Sequence, residues 1–275
     1  RSQIYQTMSI KNSLYHYTRI DRFFYENLIN GTVWFSSPLE INDPYDCQPP
    51  LIYGQKSSTF LMGKFYDEMK KREGMEDVLL GTSREEFLRE WKNKPVEWEQ
   101  RIQGGIQNHI NKEFALFCLT KRPDSIRMWS HYANKHKGVV LEFNFNEFLF
   151  KEPIFPNSED FYWKVNYPKK GTFLDFLREG EEISTQLFGQ LLTKSPEWKH
   201  EKEYRVLSSR AGLHSINKKA LTKIIFGMST PIEEQITILK LCKTLDYPNL
   251  GFAHASPDYE DYKIKIKPFN PEKAK

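Results

Sequence analysis

The sequence predicts an α+β fold, a mixed and mainly antiparallel sheet with a helical insertion, in one domain spanning residues 1–275. Three observations carry this reading. Strand-like segments recur without the regular strand-helix alternation of a parallel sheet. A polar stretch with helical spacing, 57–112, interrupts them. Apolar residues at 39%, with aromatics at 15%, supply a core for 275 residues without disulfides or metal staples.

The elements follow in order. Leu14 to Thr18 alternates as a strand, and Thr18, with Asp21 three residues on, is expected to cap a helix striped by Ile20, Phe23, Phe24 and Leu28 and ended by Gly31. Thr32 to Ser36 reads as a second strand. Ser36 to Pro50 carries Pro38, Pro44, Pro49 and Pro50, each lacking a ladder donor, so a long loop is expected. Within 57–112, Ser83 and Glu86 form a capping box and Pro95 parts two helices. Phe114 to Thr120 reads as a buried strand and Asp124 to Asn134 as a short helix. Val139, Leu141, Phe143 and Phe145 alternate along a strand with one apolar face. Phe161 to Tyr167 reads as a strand, Gly171 to Leu192 as a helix, and Glu203 to Ser208 and Lys223 to Met228 as strands. Thr230, Pro231 and Glu233 supply the cap, first-turn proline and third-position acid of a closing helix that turns Ile238, Leu241, Cys242 and Leu245 inward. Tyr262 to Lys267 adds an edge strand blunted by lysines.

Composition excludes more than it names. Forty basic against 36 acidic side chains leave +4, far below the excess of a charge-driven nucleic-acid binder. Cys47, Cys118 and Cys242 are odd in number and far apart, which fits a reducing cytoplasm and no disulfide framework. The longest apolar run, Phe114 to Leu119, is six residues, against the roughly 20 needed to cross a bilayer, and Arg1 to Asn12 lacks a signal-peptide stretch. A cytoplasmic protein without a membrane partner is expected. Glycine-rich phosphate loops, His-Glu-x-x-His, Gly-x-Ser-x-Gly and Cys-x-x-Cys are all missing, and His131 and His136, five apart, are poor co-ligands on a helix.

What stands out is a set of polar residues embedded in aromatic elements: Tyr15-His16-Tyr17-Thr18, Asn42-Asp43-Pro44-Tyr45, Met128-Trp129-Ser130-His131-Tyr132 and Glu201-Lys202-Glu203-Tyr204-Arg205. Strand alternation puts His16 and Thr18 on one face with Leu14, and Glu203 and Arg205 on one face with Leu207. The two polar pairs are expected to meet across a sheet.

With these four motifs in order, Ala133, the Lys137-Gly138-Val139 run and Trp198 before the last motif, the sequence resembles the bacterial domain-of-unknown-function 2971 family over roughly residues 14–227. The long helical segment 57–112 departs from that pattern. The opening Tyr-His-Tyr-Thr followed by helix and glycine also resembles ADP-ribosyltransferase-like domains. That resemblance implies a split sheet of their type, NAD as substrate, and no metal. It implies His16 at the cofactor ribose with Thr18 beside it and Tyr17 and Asn42 in the binding site. It further implies Trp129 or Tyr132, with Ser130 alongside, against nicotinamide, and Glu203 as the catalytic carboxylate. Arg205 is expected either to pair with pyrophosphate or to hold Glu203. Such chemistry suits these residue types, because cleavage of the nicotinamide–ribose bond passes through an oxocarbenium-like state that a carboxylate stabilises. A toxin or phage-defence role, with a protein or nucleic-acid acceptor, is what the resemblance makes conceivable.

Each assignment has a plainer counterpart. His16 suits a core histidine bonded to a carbonyl; Glu203 and Arg205 suit a buried ion pair; Asn42 and Asp43 suit a turn before proline; Trp129 and Tyr132 suit core packing. Two other functions compete. Glu197-Trp198-Lys199 fits the Glu-x-Lys element of some magnesium-dependent nucleases, with Glu181 and Glu182 the nearest preceding acids. The motifs also suit a non-catalytic nucleotide-binding or interaction module.

Overall fold

In the computed structural model, the residues described are 13–48, 59–71, 76–79, 81–145, 162–172, 174–175 and 183–269. β1 (Leu14–Thr18) leads into α1 (Arg22–Asn30). The helix is capped by Asp21, not Thr18: the Asp21 carboxylate accepts from the Phe24 N–H at 2.9 Å, whereas the Thr18 hydroxyl donates to the Arg19 carbonyl. Gly31 ends it at φ 65°, a left-handed position open to glycine. β2 (Thr32–Phe35) follows, then a loop with a 3-10 turn at Pro38–Glu40. The helical segment comprises α2 (Thr59–Lys70), a 3-10 turn at Glu76–Leu79, α3 (Arg84–Asn93) and α4 (Pro95–Glu113). Ser83 caps α3 through the Glu86 N–H, and Pro95 opens α4, as the spacing predicts.

The remaining elements are β3 (Ala115–Thr120), α5 (Ile126–Tyr132), β4 (Val139–Phe143), β5 (Trp163–Lys164), α6 (Ile183–Leu191), β6 (Glu203–Ser208), β7 (Gly212–Ser215), β8 (Leu221–Phe226), α7 (Ile232–Thr244), β9 (Gly251–Asp258) and β10 (Lys263–Pro268). Further expectations change. The strand expected at Phe161 to Tyr167 shrinks to two residues, with Phe161 outside the described set. Of the helix expected from Gly171, the described helical part is Ile183–Leu191; Gly171 and Thr172 are irregular, and 173 and 176–182 lie outside the described residues. Thr230 does not cap α7, because its hydroxyl donates to the Gly138 carbonyl at 2.8 Å.

One sheet runs β10-β9-β8-β4-β1-β3-β6-β5, antiparallel except between β8 and β9; β2 and β7 form a separate two-stranded ribbon. The fold is therefore α+β with a mixed, mainly antiparallel sheet. Each face is covered. Leu14, Phe117, Val139, Phe143 and Ile224 pack with Phe24 and Leu28 of α1 and Ile238 of α7. On the opposite face, Tyr17, Val140 and Ile225 meet Met128 and Trp129 of α5, while Leu116 and Leu207 meet Phe65, Phe87, Trp98 and Ile102 of α2–α4. β4 is thus buried on both sides, which corrects the single apolar face expected of it.

Between β1 and β3 the ladder is sparse. Tyr15 and Thr120 are the one Cα pair there, whereas β1 and β4 pair along five. The turn after α5 is held in the opposite extreme: Asn134, Lys135 and His136 all take positive φ (46°, 53° and 68°), fixed by bonds from Lys135, His136 and Gly138 N–H back to Ser130, Trp129 and Ala133 carbonyls.

Candidate functional site

The register across β1, β3 and β6 decides where the candidate residues point. Tyr15 pairs with Thr120 and Thr120 with Glu203, so these three share one face, and His16, one residue along from Tyr15, points to the other. His16 and Glu203 therefore do not share a cleft. The expected meeting of the two polar pairs fails because two strands separated by one neighbour have their parity fixed by that neighbour, which alternation within each strand leaves open.

On the Glu203 face three of the four motifs converge. Arg205, fully buried, donates from Nε to Glu203 at 2.7 Å, from Nη1 to Asp46 at 2.9 Å and to the Leu191 carbonyl at 2.6 Å, and from Nη2 to Asp46 at 2.5 Å. Lys194, buried behind it, reaches Glu201 at 2.7 Å, Glu203 at 2.9 Å and Asp46 at 3.7 Å. The Tyr132 hydroxyl donates to Glu201 at 2.6 Å, and Asn42 lies within hydrogen-bonding reach of that hydroxyl. Three carboxylates against two cations leave one buried negative charge in this network. The Tyr167 hydroxyl accepts from the Glu203 N–H at 3.0 Å, and the Thr120 hydroxyl donates to the Glu201 carbonyl.

Arg205 thus has no N–H turned toward a pyrophosphate; of the two expected roles, holding Glu203 is the one found. Sequence reasoning missed Asp46, the second carboxylate on Arg205, and Lys194, the second cation on Glu203. Asp46 follows Asp43 by three residues in the proline-rich loop, a weak signal, and Lys194 carries none.

Burial by itself raises the Glu203 carboxyl, but the charges and hydrogen bonds of Arg205 and Lys194 outweigh it and hold the group at about 2 against an ordinary 4.5. Between those values the unfolded chain binds the proton that the native state refuses, so this contribution is complete above pH 4.5 and falls away as pH drops toward 2. It is expected to be on the order of 3 kcal/mol. Urea unfolding at steps from pH 5 to pH 2 should show the loss, and a folded Glu203→Gln variant should show a shallower slope. An identical slope in that variant would remove Glu203 as its source.

On the opposite face, His16 lines a cavity of about 590 Å³ between the sheet, α1 and the β2–β7 ribbon, within the range of small-molecule sites. Its Nδ1 lies 2.9 Å from the Cys118 carbonyl and its ring 4.6 Å from the Phe117 centroid. A carbonyl only accepts, so the proton sits on Nδ1 and Nε2 keeps its lone pair. Desolvation lowers the imidazole pKa, with the carbonyl bond opposing it, so the ring is neutral near pH 7. Thr18 and Asn27 line the same cavity. The plain expectation of a histidine bonded to a backbone carbonyl is met, and the same side chain still lines a cavity.

The other candidates divide. Tyr17 lies on the Glu203 face, its hydroxyl donating to the Arg122 carbonyl at 2.6 Å. Trp129 is fully buried, its indole N–H donating to the Pro123 carbonyl at 2.8 Å and its ring set edge-on to Tyr17, so it offers no face to nicotinamide. Ser130 is exposed on α5, and Asn42 is exposed in the loop. Glu197 and Lys199 are exposed in the 3-10 turn Pro196–Glu201, and Glu181 and Glu182 lie outside the described residues. Among the described residues no group of three or more His, Cys, Asp and Glu is arranged to hold a metal ion, and no helix is long and apolar enough to cross a membrane.

Residues 128–206 match the model of a family described as a protein of unknown function, DUF2971. The matched segment runs from Met128 to Val206 and contains the third and fourth motifs, so the resemblance read from them holds there. Neither a curated protein nor a solved structure gives a match.

Proposed function

We propose that the chain binds a nucleotide in the His16 cavity, with NAD the ligand to test and its nicotinamide–ribose bond the one acted on. One observation supports this above the others: a neutral imidazole, its tautomer fixed by Cys118, leaves an acceptor nitrogen at a 590 Å³ cavity that Thr18 also lines. A ribose hydroxyl donating to Nε2 matches that geometry. The reading departs from the resemblance in one role. Glu203 lies on the opposite face of the sheet, engaged by Arg205 and Lys194, and has no role at the ligand.

Titration of the full chain with NAD is expected to give saturable binding that His16→Ala weakens at least tenfold while circular dichroism stays unchanged. Equal affinity in a folded His16→Ala protein would exclude the cavity. A second reading, binding without turnover, draws on Glu203 being engaged by Arg205 and Lys194 away from the cavity. Nicotinamide release from NAD by the wild-type protein separates the two, since a binding module releases none.

A further inference from the structure

We infer that the mouth of the His16 cavity selects a positively charged planar ring, so that of two otherwise matched pyridine ribosides it takes the cationic pyridinium form over the neutral dihydro form. This rests on the cavity being the ligand site, as proposed above, and adds the residues that would set its preference.

Three exposed apolar side chains stand on that cavity: Trp34 at 47% exposure, its cross-strand neighbour Leu213 at 49%, and Phe23, near the start of α1, at 66%. Single exposed apolar residues need no explanation, but three lining one opening make an apolar rim. Trp34 is oriented as well as exposed. Its indole N–H donates to the Glu40 carboxylate at 3.1 Å, which fixes the ring and places a negative charge at its edge. The other acidic groups of the lining are already matched: Asp21 pairs with Arg19 at 2.7 Å and Glu26 with Arg22 at 2.6 Å. Glu40 has no cationic partner among the described residues, and His16 contributes no charge. An indole ring with a carboxylate at its edge attracts a delocalised cation over its face. The ring end of the ligand is therefore the part that meets Trp34 at the rim.

Calorimetric titration of the full chain with nicotinamide riboside and with its 1,4-dihydro form compares a cation and a neutral ring of nearly the same shape. The cation is expected to bind at least tenfold more tightly. Glu40→Gln and Trp34→Leu, both at exposed positions, should each reduce that preference below threefold. Equal or tighter binding of the dihydro form overturns the inference and leaves the cavity reading standing. An undiminished preference in both variants also overturns it, by locating the selection elsewhere. Failure of both forms to bind the folded wild-type chain overturns the inference and the cavity reading together.

Discussion

Arg205→Ala is expected to cost about 3–5 kcal/mol of folding stability, the range for removing one partner from a buried ion network. The side chain is wholly enclosed and engages Glu203, Asp46 and the Leu191 carbonyl at once. Truncation leaves three carboxylates facing Lys194 as the remaining cation, so the buried excess of negative charge rises from one to two. Arg205→Lys should recover only part of the loss, because an ammonium cannot reproduce the fork that reaches both Asp46 oxygens. Urea midpoints for the two variants and wild type decide it; a loss below 1 kcal/mol for Arg205→Ala would mean that the network contributes little beyond its own desolvation.

Gly227→Ala should be comparably damaging, at about 3 kcal/mol, the upper end of ordinary overpacking. A methyl group there would stand 2.1 Å from the His136 carbonyl oxygen and 3.0 Å from the Trp129 ring. Neither neighbour yields easily. The His136 carbonyl accepts from the Ser229 N–H and sits in the positive-φ turn, and Trp129 is fully buried. Gly104→Ala, in the exposed middle of α4 with open space at its Cβ position, serves as the contrast and should stabilise by about 0.5–1 kcal/mol. Thermal midpoints falling in Gly227→Ala and rising in Gly104→Ala are the expected pattern; a fall of the same size in both would point to helix and turn propensity instead of the clash.

Much of the fold was legible because local chemistry and final structure agree. Gly31, Ser83 and Pro95 mark helix ends where the structure has them, and the segments Leu14 to Thr18, Phe114 to Thr120 and Glu203 to Ser208 are strands to within a residue. β7 and β9 were not foreseen. Gly212-Leu-His-Ser is short and half polar, and Gly251 to Asp258 is rich in alanine and carries Pro257, so both lack the β-branched alternation that announces a strand. Their pairing comes from neighbours. Thr230 resembles a helix cap, yet its hydroxyl goes to Gly138, a tertiary bond that short-range spacing does not encode.

The candidate site was legible as a set of residues and not as an arrangement. Alternation fixes which residues of one strand share a face, and both pairs, His16 with Thr18 and Glu203 with Arg205, follow it. Which face of the sheet each pair occupies depends on β3 standing between them, and that order is set by distant contacts. Trp129 shows the same limit. Helical spacing puts it on a stripe, but only the β1 and β3–α5 surroundings, through Tyr17 and Pro123, close it off from solvent.

The imidazole of His16 also acts as a rivet. Where β1 and β3 share a single Cα pair, its Nδ1–H reaches across to the Cys118 carbonyl and supplies a link that peptide groups provide elsewhere. A guest that donates to Nε2 withdraws electron density from the ring and sharpens that link, as chained hydrogen bonds reinforce one another. Filling the cavity would therefore stiffen the join between two halves of the sheet, so that amide protons along it exchange with deuterium more slowly in the loaded protein than in the empty one.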